Sequence, residues 1–159
     1  MKRNKVIHPL DPVYNKDSKY LILGSFPSVI SRNEMMYYAN PNNRFWKVMS
    51  IIFEDEVIDK KEFCYKHGIA LWDVIKECTI NGSSDASIKD VKINDIQSLL
   101  DKSNIEIIIT NGAKATSLYK KYIKVDKQHL IMPSTSSANA RYSLDDLVNE
   151  YRKAFIWNY

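Results

Sequence analysis

Tyr20-Leu-Ile-Leu-Gly-Ser-Phe-Pro-Ser28 carries the clearest signal of architecture in this chain of 159 residues. Its first four residues form a short apolar run, which is typical of a β-strand buried on both faces of a sheet. Gly24 and Pro27 then break the strand, and small polar residues surround them. Because ligands of open α/β folds bind beyond the carboxyl ends of the strands, we expect chemistry at this loop.

Three further apolar runs predict parallel strands, and helical patterns separate them. The predicted strands are Tyr20–Gly24, Ile69–Asp73, Ile105–Thr110 and His129–Met132. The predicted helices are Asn43–Phe53, Asp59–His67, a helix capped by Asn94 that runs through Ser103, Gly112–Tyr122 and Ser143–Trp157. Since strands alternate with helices, right-handed βαβ units follow. We therefore expect one domain over residues 1–159, an α/β fold built as a three-layer α/β/α sandwich with a central, mostly parallel four-stranded sheet.

Composition indicates an ordinary globular domain. Apolar residues make up 45% and charged residues 26% of the chain, which argues against disorder. Neither Cys64 nor Cys78 has a partner at metal-ligand spacing, so we expect reduced core thiols, no metal and no cofactor. No apolar segment is long enough for a signal peptide or a membrane span. We expect a monomer that resides in the cytoplasm, associated with the nucleoid and not with a membrane.

The net charge of +4 is mildly basic and, taken alone, is more common among proteins with no nucleic-acid partner. The distribution of the charge is more informative. Five lysines lie between Lys114 and Lys127, and Arg141, Arg152 and Lys153 follow. Such a cluster is able to form a surface that faces phosphates.

Three segments of the chain show no regular pattern: Ser25–Asn42, Glu77–Asn94 and Pro133–Tyr142. Each of them comes after a predicted strand. Since the carboxyl ends of parallel strands meet at one edge of the sheet, these segments predict a composite pocket there.

Three residues have both a structural and a functional interpretation: Tyr37 and Tyr38 in the first irregular segment, and Asn43 directly after it. Asn43 starts a predicted helix, where Asn is a good N-cap, yet the same amide is able to hold a water or a developing anion. Tyr37 and Tyr38 precede a run rich in turn formers. One of them is expected to anchor the loop, and an aromatic ring there is also suited to stacking on a planar ligand.

Asn111 follows the most hydrophobic strand, and hydroxyl side chains follow the last one. An amide is able to pair with the O=C–N–H edge of uracil, thymine or hypoxanthine, although helix capping is the alternative for Asn111. The late loop carries Ser134, Thr135, Ser136 and Ser137, which suit phosphate contacts as well as a plain turn. The chain has no Gly-x-Ser-x-Gly elbow and no P-loop, and its three histidines have no evident partner in the sequence.

Taken together, these segments resemble the uracil-DNA glycosylase superfamily. Gly24-Ser-Phe-Pro-Ser28 is similar to its first motif, Tyr38-Ala-Asn-Pro-Asn-Asn-Arg-Phe-Trp46 to the segment with the base-stacking aromatic, and Met132-Pro-Ser-Thr-Ser-Ser-Ala-Asn139 to its second motif. Leu71–Ile75, Gly82–Asp85 and Thr110–Lys114 also fit. The closest branch is the hypoxanthine-DNA (deoxyinosine) glycosylases, followed by the mismatch-specific uracil and thymine glycosylases.

The resemblance implies a monofunctional DNA glycosylase that flips a deaminated base out of DNA and hydrolyses its N-glycosidic bond. It further implies that Tyr38 stacks on the base, Asn43 positions water and Asn111 reads the base edge. Asp85, or Asp73 in its place, is a candidate to assist catalysis. The loop around Ser134, Ser136 and Asn139 would pinch the backbone, with Ala138, Asn139 or Arg141 near the vacated stack.

The first motif departs from the family pattern at its third position. Many members carry Asp or Asn there to handle the attacking water, whereas this chain has Phe26. We therefore expect Gly24, Ser25 and Phe26 to shape the pocket and Asn43 to be the leading catalytic residue. Met132 likewise replaces a histidine of the uracil-specific enzymes. Two alternatives stay open: a mismatch-specific uracil-DNA glycosylase, and a catalytically silent DNA-binding module of the same fold.

Overall fold

The computed structural model describes residues 4–156. It contains seven strands and six α-helices within that range. In chain order these are β1 (Asn4–Ile7), β2 (Tyr20–Gly24), α1 (Val29–Glu34), α2 (Phe45–Phe53), α3 (Lys60–His67), β3 (Ile69–Asp73), β4 (Ile75–Ile80), β5 (Lys89–Ile93), α4 (Ile96–Asp101), β6 (Ile107–Asn111), α5 (Ala113–Tyr122), β7 (Gln128–Met132) and α6 (Leu144–Ile156). A single 3₁₀ turn, Asp85–Ser87, precedes β5.

The central sheet confirms the predicted architecture. Its four strands run in the order β3-β2-β6-β7, and every neighbouring pair is parallel. The register pairs Gly24 with Asp73 and Asn111 with Met132. All four strands therefore end at one edge, and the loops that follow them meet there.

Successive side chains of β2 point to opposite faces of the sheet, and each face carries its own hydrophobic cluster. Tyr20 and Ile22 belong to a cluster that includes residues of α2, α3 and α6. Leu21 and Leu23 belong to the other cluster, which includes residues of α4 and α5. Because both faces are covered by helices, the strand reads as a continuous apolar run, as the three-layer sandwich requires.

The prediction that Glu77–Asn94 is irregular was wrong. This region contains most of β4 and all of β5, which join β1 in a second, antiparallel sheet in the order β1-β4-β5. The buried residues of β4 are Ile75, Cys78 and Ile80, so a shifted register hides its alternation. A bulge in a strand that is exposed on one face breaks the period-2 pattern on which a sequence-based assignment depends.

Two smaller expectations were also wrong. Ser25–Asn42 contains the short helix α1, whose N-cap Ser28 accepts a hydrogen bond from the Ser31 amide at 3.1 Å. Asn94 does not cap α4, because Asp95 takes that position and accepts from the Ser98 amide. The Asn94 amide instead donates to the Asp73 and Ile75 carbonyls, so it joins β3 and β4. The predicted end of the last helix, Trp157, lies outside the described residues.

No helix in residues 4–156 has both the length and the apolar character that crossing a membrane demands. Over the same stretch, the His, Cys, Asp and Glu side chains form no group of three that could hold a metal ion.

Candidate active site

The carboxyl edge of the central sheet opens into a cavity of about 220 Å³. Loops that follow β2, β4 and β7 contribute to its wall, together with Asp73 at the end of β3 and Asn111 at the end of β6. Polar side chains dominate the lining, which consists of Gly24, Ser25, Phe26, Pro27, Ser28, Ile30, Ser31, Tyr37, Tyr38, Asn40, Asn43, Asp73, Ser83, Asp85, Asn111, Ser134, Thr135, Ser136 and Ser137. The three irregular segments predicted to form a composite pocket all contribute residues to it.

The Asn43 side chain is fixed at the start of α2 with its oxygen fully occupied. Oδ1 accepts from the Phe45 amide at 2.9 Å and from the Thr135 hydroxyl at 2.8 Å. A carbonyl oxygen has two lone pairs, so neither is left for a ligand. Within the described part of the chain, the Nδ2 group donates no hydrogen bond. The Asn43 amide therefore offers N–H donors to the cavity. It is able to donate to the oxygen of a water molecule, but it cannot accept a proton from that water.

Thr135 connects Asn43 to Asn111. Its side chain is completely buried, and its hydroxyl accepts from Asn111 Nδ2 at 3.1 Å while it donates to Asn43. Its amide donates to Asn111 Oδ1, also at 3.1 Å. Residues from three distant segments are therefore locked in one orientation, and the direction of each amide follows from its partners.

Arg44 holds the late loop by its backbone. Its guanidinium donates to the carbonyls of Ser136 at 2.7 Å, Asn139 at 3.0 Å and Thr135 at 3.4 Å, and also to the carbonyl of Tyr142. The Arg44 amide donates to the Thr135 carbonyl as well. A planar group with five donors is suited to gathering several carbonyls, and here it closes the loop over the start of α2.

Tyr37 and Tyr38 have different structural roles. We expected one of the two to anchor the loop, and this residue is Tyr37. The Tyr37 hydroxyl donates to the Asp11 carbonyl at 2.9 Å and anchors the loop. The Tyr38 ring stacks on Phe45, with centroids 4.1 Å apart and an angle of 18° between the planes. Tyr38 also has a positive φ of 55°, a strained conformation for a bulky residue.

The Tyr38 hydroxyl is buried and meets no hydrogen-bond partner of proper geometry among the described residues. Burial and the charge of Asp73 raise the pKa of this hydroxyl, against a smaller effect of the neighbouring Asn111 side chain. It therefore stays protonated throughout the physiological range. The ring presents a flat apolar surface to the cavity that is backed by Phe45.

Asp85 lies in the 3₁₀ turn after β4 and accepts a hydrogen bond from the Ser25 hydroxyl at 2.9 Å. The residue as a whole is exposed, but the surrounding loops crowd its carboxyl. Desolvation raises the pKa of this carboxyl, and Asp73 adds to the increase, while Ser25 and Lys114 oppose it. A carboxylate with a raised pKa at the wall of a cavity is a suitable proton acceptor.

Asp73 and His8 form a buried pair that the sequence did not reveal. His8 Nε2 lies 2.7 Å from Asp73 Oδ2, and the side chains are 2% and 4% exposed. The sequence showed no evident partner for His8 or His67. In the structure each pairs with an aspartate, His8 with Asp73 and His67 with Asp55. Phe26 packs edge-on against the His8 ring at 5.8 Å, so this residue of the first motif supports the pair from the cavity side.

Nine of the eleven residues predicted for the site line the cavity: Gly24, Ser25, Phe26, Tyr38, Asn43, Asp85, Asn111, Ser134 and Ser136. Asn139 and Arg141 lie on the late loop outside this lining. Asn139 Nδ2 donates to the Ser134 carbonyl at 3.0 Å, whereas Arg141 is exposed. His8, Arg44 and Thr135 were not among the predicted site residues. His8 meets Asp73 65 residues away, Arg44 meets Tyr142 98 residues away and Thr135 meets Asn43 92 residues away, so no local spacing signals them.

Comparisons with known proteins agree with the fold and identify the family. The sequence model of the family described as the Uracil DNA glycosylase superfamily matches residues 12–158. A Methanosarcina acetivorans protein named Hypoxanthine DNA glycosylase is 35% identical over 137 residues, which cover 82% of this chain and 87% of that protein. A Methanosarcina barkeri protein of the same name is 33% identical over 150 residues, or 91% and 94% of the two chains.

The solution NMR structure of a candidate uracil DNA glycosylase from Methanosarcina acetivorans superposes on this chain with a TM-score of 0.81 and 31% sequence identity, covering 94% of this chain and 97% of the other. The matched region contains the whole central sheet and every loop that lines the cavity. Since the fold, the site and the family match coincide over nearly the full length, this chain belongs to the uracil DNA glycosylase superfamily.

Proposed function

We propose that this chain is a monofunctional DNA glycosylase that removes hypoxanthine from DNA and leaves an abasic site. The observation that carries the proposal is the Asn43 amide, which offers only N–H donors to a cavity with an aromatic platform, Tyr38. Two relatives named Hypoxanthine DNA glycosylase, at 35% and 33% identity, support hypoxanthine as the base.

The reaction begins with extrusion of the deaminated nucleotide into the cavity. Unstacking requires a few kcal/mol and is easiest for a base that pairs poorly, so the lesion itself favours its own selection. The flipped base stacks on Tyr38, which Phe45 holds flat. Stacking of this kind contributes about 1–3 kcal/mol per base.

Bond cleavage then separates the base, which takes the bonding electrons, from a sugar that acquires positive charge at C1′. Asn43 donates N–H to the oxygen of one water and holds it against C1′. The water oxygen forms the new bond to C1′ and its proton passes to the Asp85 carboxylate. The departing base anion then takes this proton from the Asp85 carboxyl, which restores the carboxylate. An electrophilic sugar needs an oriented water more than a strong base, so a neutral amide is adequate.

The loop from Ser134 to Asn139, with Arg141 beyond it, is proposed to contact the DNA backbone. Its hydroxyls and amides suit phosphate oxygens, which position the nucleic acid without specifying its sequence. The cellular partner is then DNA that contains a deaminated base, and the enzyme is expected to act as a monomer within the cytoplasm.

The test is a strand-cleavage assay with oligonucleotides that contain deoxyinosine, deoxyuridine, a mismatched thymine or xanthine. The purified chain is expected to produce alkali-labile sites fastest with deoxyinosine. Asn43→Asp should reduce this rate at least about 100-fold, because an isosteric carboxylate cannot donate to the water. Asn149→Asp, on the exposed face of α6, is the matched control and should retain the activity.

Two results would contradict the proposal. If none of the substrates yields abasic sites while salt-sensitive DNA binding persists, the chain is a silent DNA-binding module. If Asn43→Asp is as fast as the parent or faster, the position requires an acceptor, and the donor role is wrong.

A further inference from the structure

The buried pair of His8 and Asp73 leaves one carboxylate oxygen free at the cavity. The Leu10 amide donates to His8 Nδ1 at 3.3 Å, so this nitrogen carries no hydrogen and the ring proton resides on Nε2. Nε2 then donates to Asp73 Oδ2 at 2.7 Å. One oxygen of the carboxylate is thus fixed by a neutral histidine from the segment that precedes β2.

The other oxygen, Oδ1, lies directly over Gly24. A Cβ at position 24 would collide with Asp73 Oδ1 and would stand 3.6 Å from the Tyr38 hydroxyl. Asp73, Gly24 and Tyr38 all line the cavity. Within residues 4–156, Oδ1 accepts no hydrogen bond, although the whole residue is only 3% exposed. Oδ1 is not among the fully buried polar atoms without a partner, so it keeps contact with the cavity, where a ligand N–H is able to donate to it.

Asn111, which was expected to read the base, is largely committed to Thr135. Its Oδ1 accepts from the Thr135 amide and its Nδ2 donates to the Thr135 hydroxyl, both at 3.1 Å. The one remaining N–H of Asn111 matches a carbonyl oxygen of the base. Asn111 Oδ1 keeps one lone pair beside the Thr135 amide, but Asp73 Oδ1 is a carboxylate oxygen that no described residue engages, and it is the stronger acceptor for the neighbouring ring N–H of a lactam.

We propose that Asp73 Oδ1 is that acceptor and that His8 is the positioning residue that keeps it directed at the base. The inference rests on the proposed function and deepens it, because it identifies the substrate class as bases with a ring N–H next to a carbonyl. Hypoxanthine and uracil have this edge. Adenine and cytosine present a lone pair at the same ring position, which a carboxylate repels.

The pair therefore separates hypoxanthine from adenine and uracil from cytosine. Guanine and thymine share the ring N–H, so their rejection depends on stable pairing in the duplex and on the shape of the cavity and not on Asp73. A site built to bind a substrate N–H discriminates strongly against an analogue that lacks it.

The sharpest test is Asp73→Asn. Because His8 Nε2–H donates, the new amide should direct its oxygen to His8 and its NH₂ to the base, which replaces the acceptor with a donor. We expect kcat/KM for deoxyinosine to fall at least about 100-fold. Adding His8→Leu removes the donor that fixes the amide, so the introduced side chain is able to rotate and present its oxygen. The double variant should then recover at least about tenfold over Asp73→Asn alone.

A second arm alters the substrate, and its first comparison uses the parent enzyme alone. An oligonucleotide with 1-deaza-2′-deoxyinosine replaces the ring N–H by C–H. The parent enzyme should process it at least about tenfold more slowly than deoxyinosine, and Asp73→Asn should show no such difference, because the contact is already lost.

The outcomes separate the inference from the function on which it rests. If the parent enzyme releases no deaminated base, the proposed function fails. If the parent is active and Asp73→Asn keeps its deoxyinosine rate, the inference alone fails. It fails equally if the folded double variant is no faster than Asp73→Asn, or if the parent does not distinguish the 1-deaza substrate. If circular dichroism shows that a variant does not fold, the comparison of deoxyinosine with the 1-deaza substrate in the parent enzyme decides the question.

Discussion

Thr135 Oγ1 donates to Asn43 Oδ1 at 2.8 Å and joins residues that are 92 positions apart in the chain. Through this bond the loop after β7 fixes the orientation of the amide at the start of α2. The same hydroxyl accepts from Asn111, at the end of β6. The late loop, which we propose to contact the DNA, therefore also determines which atoms Asn43 offers to the cavity.

Replacing Thr135 by valine should separate this orienting function from substrate binding. Valine preserves the volume but leaves Asn43 and Asn111 without their buried partner, so we expect the free energy of unfolding to fall by about 2 kcal/mol. The effect on deoxyinosine cleavage should appear in kcat and not in KM, since the water loses its position. Thr135→Ser, which keeps the hydroxyl, is the control. An unchanged kcat for the valine variant would refute the link.

Arg44→Lys should weaken the enzyme although Arg44 lies outside the cavity lining. An ammonium is a point donor and cannot span the carbonyls that the guanidinium gathers, so the late loop should loosen. We expect a loss of stability of about 2–3 kcal/mol together with a lower kcat/KM. Chemical denaturation and strand cleavage measure the two effects. Arg152→Lys, on α6, is the matched control and should change neither.

Tyr38→Phe should raise stability and retain most of the activity. It removes a buried hydroxyl that has no partner among the described residues, which should stabilise the fold by about 1 kcal/mol. The stack on Phe45 is preserved. Tyr38→Ala, in contrast, removes the platform and should reduce kcat/KM by about 5- to 150-fold, which corresponds to about 1–3 kcal/mol of stacking. Thermal unfolding that gives a lower Tm for Tyr38→Phe would show that the hydroxyl contributes a favourable contact.

The pH dependence of cleavage should report on Asp85. Desolvation raises the pKa of its carboxyl, so the carboxylate that we propose as acceptor of the water proton is lost at a higher pH than the ordinary value of about 3.9. Activity should fall as the pH decreases through this raised pKa, and Asp85→Asn should abolish that acid limb. Because the folded chain binds this proton more tightly than the unfolded chain, protonation of Asp85 itself favours folding. Circular dichroism over the same pH range checks that other carboxyls, such as Asp55 with its lowered pKa, do not unfold the chain. If the acid limb persists in Asp85→Asn, it arises from the titration of another group.

The strands and most helices were predictable because each depends on a local pattern. A run such as Tyr20–Gly24 is apolar because both faces of the sheet are covered, and Gly68 ends α3 with a positive φ as glycine readily does. The second sheet was missed because β4 pairs with a register shift that interrupts its alternation. Asn94 was assigned to a cap because capping is the commonest local use of an asparagine, whereas here its amide bridges two strands.

Sequence alone determined the layers of the fold, the edge at which the site lies and the residue types available there, since all of these follow from short-range periodicity and strand direction. Only the tertiary structure decided which atoms those residues present. His8 meets Asp73 across 65 positions, Thr135 meets Asn43 across 92, and the Arg44 guanidinium gathers carbonyls of a loop more than 90 positions away. The orientation of a buried amide or carboxylate depends on the donors packed against it, and in this chain those donors come from segments that only folding brings together.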